Sequence, residues 1–179
     1  MLREVRAFAV TVAALSVLGA VLGVPAGLAW SWAAPRAPYV RTGSGLVLAD
    51  PMTQALIAAD GWFAVITGGL GLAGGVAVWL LARRRGVAAV LGLCVGGLAG
   101  AFVAYGVGTR FTVGSVTVAA AAPGAQVVPG ALVLTAPGVL VSWAFLAVAA
   151  FGVLEGVAAY RRSPLRRPYG ISDRPPEGP

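Results

Sequence analysis

Asp50 in "VLADPMTQ", Asp60 in "IAADGWFAVI", Glu155 in "GVLEGVAAY" and the single cysteine, Cys94, are the side chains with reactive potential that stand inside or beside long apolar runs. Facing carboxylates can do general acid–base work, and a carboxylate inside a bilayer can carry protons or ions. The sequence has no histidine, which together with one cysteine excludes His/Cys zinc sites and His-based triads. It also lacks a phosphate-binding glycine loop with Lys, HExxH, CxxC and GxSxG. No catalytic, cofactor-binding or metal-ligating set is therefore expected. Asp50 precedes Pro51, and Asp60 precedes Gly61-Trp62. Aspartate is a favoured N-cap and proline a favoured first helical residue, so both acids read as helix caps contributing about 0.5–2 kcal/mol each. On this reading Pro51 to Ala59 is a short outer helix with Met52, Ala55, Leu56 and Ala59 on one face, and Asp60 ends it and starts the next. Glu155 has two readings: a functional intramembrane acid, or a shallow group that snorkels or pairs with Arg83, Arg84 or Arg85 of a neighbouring helix. Its place five residues before Tyr160 favours the second. Thr67, Tyr105 and Ser142 are scattered hydroxyls of the kind that bond to backbone or to a neighbouring helix.

The elements that must position these groups follow from composition. Of 179 residues 59% are hydrophobic and only 11% charged, with a mean hydropathy of +0.88. Crossing ~30 Å of hydrocarbon takes about 20 apolar residues in a helix. Four runs qualify, at about 7–30, 62–82, 87–108 and 139–160. A net charge of +7 would point to nucleic acid in a soluble protein, but here it is a topology signal and no nucleic-acid partner is expected. All thirteen cations are arginines. Arg3, Arg6, Arg83, Arg84, Arg85, Arg161, Arg162, Arg166, Arg167 and Arg174 fall on one side of the runs, and Arg36, Arg41 and Arg110 on the other. Loops rich in arginine stay cytoplasmic, so both termini are expected inside and loops 31–61 and 109–138 outside. Trp30, Trp32, Trp62 and Trp143 gather toward the outer interface in agreement. The first run exceeds the 7–15 residues of a signal-peptide core, which favours an uncleaved helix, bent at Pro25. Residues 161–179 form a basic, proline-rich tail that is expected to be disordered, with Arg161 to Arg167 held to anionic lipid at the cytoplasmic face by about 1 kcal/mol per cation.

Inside a bilayer, helices associate through small residues at four-residue spacing. The third run carries the longest such ridge, Gly92, Gly96, Gly100, Ala104 and Gly108, and the first carries Gly19, Gly23 and Gly27. Gly71 and Gly75 in the second run and Gly152 and Gly156 in the fourth repeat the pattern. The third helix therefore belongs either at the centre of a bundle or at a homodimer seam. Cys94 reads as a small packing residue. Outside the runs, 111–118 and 130–138 have strand character, and "GLVLADP" at 45–51 resembles the second of these. Two helix–strand–helix units, their strands pairing outside, would account for that likeness.

The segments "WAAPRAP" (32–38), "AADGWF" (58–63), "ARRRG" (82–86) and "TAPGVLVSW" (135–143) resemble the actinobacterial integral membrane family known as domain of unknown function 2567. The likeness runs from about Val5 to Tyr160 and leaves 114–128 unmatched. It implies a multi-pass plasma-membrane protein and brings no catalytic residues. The expected architecture is an all-α membrane protein of four transmembrane helices (domain 1–160), with a small extracytoplasmic cap of a short helix and β-strands. The expected function is a non-enzymatic assembly or accessory subunit, whose partners are the lipid bilayer, a second copy or another membrane protein. A small transporter working as an oligomer is the alternative. In a Cys94→Ala background, a thiol placed at position 53 should react with an impermeant reagent on intact cells and one at 163 should not; the reverse pattern inverts this topology.

Overall fold

A helix whose large aliphatic side chains point outward and whose glycines point inward can approach its neighbour only through backbone, and this pattern organises the chain. The computed structural model describes residues 1–42, 45–50, 52–111 and 127–163. These are mostly helical: α1 (Leu2–Ala33), α2 (Ala55–Ala82), α3 (Gly86–Arg110) and α4 (Ser142–Arg162). Three continuous helical stretches, Leu2–Ala33, Ala55–Arg110 and Pro137–Arg162, are long and apolar enough to cross a membrane. The second is broken by a single 3-10 turn at Arg83–Arg85, where the chain reverses so that Val78 of α2 joins Ala89 and Leu93 of α3 in one apolar cluster. Helix α1 runs uninterrupted through Pro25 and closes with the Ala34 N–H donating to Trp30 O at 2.9 Å, just before Pro35.

Helices α1 and α3 lie parallel and in constant register. A Cβ on Gly19 would strike the Gly96 carbonyl, one on Gly23 the Gly100 carbonyl, and one on Gly27 the Ala104 carbonyl. Gly92 is covered by Leu15, and Gly108 by the ring of Trp30. The ridge expected on the third run is thus filled by α1 of the same chain. Helices α2 and α4 form a second parallel pair, with Gly71 against the Trp143 carbonyl and Gly75 against that of Ala147. Helix α3 also meets α4, Gly97 lying on Ala144 and Gly100 on the Trp143 ring, so it touches all three other helices. Gly152 and Gly156 do not share in this: nothing lies within 4 Å of where their side chains would be. Their spacing matched the packing pattern, but α4 turns Ala144, Ala147 and Phe151 inward instead.

Three strands cap the end reached by Trp30. β1 (Pro38–Thr42) pairs antiparallel with β2 (Gly45–Leu48), Tyr39 opposite Leu48, and with β3 (Val127–Pro129), Tyr39 opposite Val128. A strand is present at β2, within the 45–51 segment, but its partner is β1; the pairing between the two inter-helix segments is made by β1 and β3, at 38–42 and 127–129, and not by the segments expected to pair. The strand expected over 130–138 is not there. Pro129 ends the ladder, the Gly130 N–H goes to Ala37 O at 3.0 Å, Leu132 is buried, and a 3-10 turn occupies Pro137–Val141. Residues 112–118 of the other expected strand, and the tail from 164 on, lie outside the described residues.

The short helix over 51–59 is also corrected. Met52 N–H donates to Asp50 Oδ1 at 2.9 Å and Thr53 N–H to Asp50 O at 3.2 Å, making a turn that delays the helix until Ala55. Asp50 therefore closes a turn and is not a helix cap. From Ala55 the helix passes through Asp60 without a break, its N-cap being Gln54. Asp60 is not a cap either, because its carboxylate is taken by another segment.

Leucine at position 96 should force α1 from α3 and cost at least about 1–3 kcal/mol, whereas leucine at 152 should change stability by less than about 0.5 kcal/mol. Unfolding of the two variants in mixed detergent micelles measures the difference.

Candidate functional site

Polar side chains gather at the two ends of the helices. At the capped end, Trp30 is 1% exposed, donates its indole N–H to Ala59 O at 2.8 Å, and meets Phe63 edge to face with ring centroids 5.0 Å apart. This contact fixes the start of α2 against the end of α1. One residue on, Asp60 is 7% exposed and accepts from three donors. The Thr135 N–H donates to Oδ1 at 3.0 Å, and the Thr135 hydroxyl and the Ala136 N–H, the latter at 2.9 Å, donate to Oδ2. The result is a clamp that holds the segment leading into α4 onto α2.

Two turns further along α2, Thr67 bonds to Phe63 O at 2.7 Å and to Ser142 Oγ at 2.8 Å. A hydroxyl has one proton, so Thr67 donates to the carbonyl and accepts from Ser142, which ties α2 to the first residue of α4. Tyr105, the third of the scattered hydroxyl residues, packs its ring 6.3 Å from that of Trp30. Arg36 is only 3% exposed, with Nη2 donating to Ser31 O at 3.3 Å. Three of the four segments quoted above meet at this end, two supplying the buried polar residues Arg36 and Asp60 and the third the exposed Thr135 that bonds to Asp60.

The opposite end carries the arginines. Glu155 accepts the Trp79 indole N–H on Oε2 and meets Arg162 Nη2 on Oε1, each at 3.0 Å. Its cation is therefore Arg162, two turns along the same helix, and not Arg83, Arg84 or Arg85 as expected. Arg83 lies over the Trp79 ring, 5.4 Å from its centroid, and Arg85 donates to the Thr11 hydroxyl of α1. With side chains 66% and 38% exposed, the Arg162–Glu155 pair is worth less than about 1 kcal/mol.

The acids singled out from sequence thus stand apart: Asp50 in a surface turn, Asp60 in the buried clamp, and Glu155 at the far end. No two of them share a site. Sequence reasoning missed Trp30, Thr135 and Arg36 as partners of the capped end. The hydroxyl of Thr135, set two residues before Pro137 in a short apolar segment, was the available signal. Searches against protein-family models, curated proteins and solved structures find no match for this chain.

Replacing Asp60 with alanine removes the acceptor of three partly buried hydrogen bonds and should cost on the order of 1–3 kcal/mol in all, whereas Asp50→Ala should cost about 1 kcal/mol or less. Thermal unfolding in detergent, with protease sensitivity between 127 and 141 as a second readout, compares the two.

Proposed function

We propose that this chain is a multi-pass plasma-membrane protein with four spans, both termini cytoplasmic and the small sheet on the outer face, working as a non-enzymatic assembly or accessory subunit through helix contacts. The observation that carries the membrane reading is the inverted packing. On α3 the buried positions are glycine or alanine except Leu93, while Val87, Leu91, Val95 and Phe102 are exposed. A water-soluble bundle buries its large aliphatics and exposes polar groups. The same holds on α1, where Val17 and Val21 are 63% and 60% exposed. Hydrocarbon around the helices removes the cost of that exposure.

The non-enzymatic reading is supported by how the polar groups are used. Asp60 holds a loop, Thr67 and Ser142 hold each other, and Glu155 holds Arg162 and Trp79. Each is occupied in keeping elements together.

Cross-linking in native membranes, followed by identification of what co-purifies, tests the role. A defined partner or a second copy is the expected outcome. The Glu155→Gln variant separates the reading from its alternative: unchanged or weakened assembly fits an accessory subunit, whereas lost solute flux with assembly intact would establish a transporter.

A further inference from the structure

At the arginine-rich end, α2 and α4 leave between them a groove of about 450 Å³. Trp79 and Arg83 form one wall, Arg161 and Arg162 the other, and Leu154 and Val157 contribute apolar surface. Three guanidinium groups thus line one groove. A single carboxylate, Glu155, neutralises one of them, and Arg162–Glu155 is the ion pair found among the described residues. Arg83 and Arg161 therefore reach the groove without a carboxylate partner among those residues. Stacking on Trp79 orients the Arg83 guanidinium and leaves its edge donors available. The apolar surface continues onto the outward face of α4, where Val153 and Val157 are 64% and 46% exposed.

A ligand that fits both halves has a phosphate for the guanidinium forks and a hydrocarbon chain for the helix face. We infer that this groove is a binding site for an anionic glycerophospholipid, its phosphate held by Arg83 and Arg161 and an acyl chain lying along Leu154 and Val157. The inference rests on the membrane reading above but adds a defined site to it. A second groove at the same end, about 290 Å³ between α1 and the Arg83–Arg85 turn with the start of α3, provides an internal control. It holds Arg84 and Arg85 beside Glu4, and Arg85 is already engaged by Thr11.

The test is native mass spectrometry of the full chain in neutral detergent with phosphatidylglycerol or phosphatidylcholine of matched acyl chains. Wild-type protein should retain phosphatidylglycerol with a preference on the order of tenfold, given two guanidinium groups without a carboxylate partner among the described residues. The Arg83→Ala/Arg161→Ala variant should fall to parity, and Arg84→Ala/Arg85→Ala should keep the preference. Arg83→Lys/Arg161→Lys, which retains charge but not the fork, should fall between and guards against a folding defect in the alanine pair. Equal retention of both lipids by the wild type, or equal loss from the two alanine pairs, overturns the site, the latter because it marks diffuse surface charge. Flotation with phosphatidylcholine vesicles is read separately: co-flotation together with equal retention of the two lipids in the mass spectra sinks the groove and leaves the membrane reading standing, while failure to float sinks the membrane reading itself.

Discussion

Backbone meeting backbone at glycine is the constraint on which the rest of this structure depends. Along α1 and α3 a carbonyl of one helix occupies the space a side chain would need on the other, at three successive four-residue steps. On the proposed membrane reading no gain comes from hiding leucine from solvent, so dispersion between closely apposed backbones becomes the principal attraction. The α2–α4 pair uses the same device on one side only, glycines of α2 against the backbone of α4. Trp143 joins the pairs, its carbonyl under Gly71 and its ring on Gly100.

The polar ends refine what the glycines establish. At the capped end, Trp30, Asp60, Thr67 and Ser142 each join different elements, and every one of these bonds is buried or partly so. At the arginine end the bonds are fewer and more exposed, and cations outnumber the acids that meet them. One end is locked against its own cap, and the other presents charge to its surroundings.

Much of the helical layout was legible, because apolar runs and four-residue glycine spacing are local patterns. The runs at 62–82 and 87–108 fall within α2 and α3, and the ridge from Gly92 to Gly108 packs as its spacing implied. Harder to read was the choice among alternatives that share a local pattern. Asp60 looked like a cap because aspartate before glycine is one, but its donors lie 75 residues away in sequence and leave no local mark. Glu155 was assigned the wrong arginines because α4 extends past the apolar run to Arg162, which brings a cation of the same helix within reach. Gly152 and Gly156 matched the packing motif and meet nothing, since spacing specifies a flat stripe but not which way it faces. Strand β3 falls just before the segment expected to hold it, because Pro129 cannot donate to a ladder and the next amides serve other acceptors.

Parallel pairing of alternate helices has a consequence for biogenesis. As the chain emerges from the ribosome, α1 is complete long before the glycines it must meet on α3 have been made, and α2 likewise waits for α4. The first hairpin to form has the Trp30 contacts with Ala59 and Phe63 and the β1–β2 pairing to hold it. Until the second half arrives, the glycine faces of α1 and α2 lack the helices that fill them, so their pairing is a late event and not a stepwise accretion of neighbours.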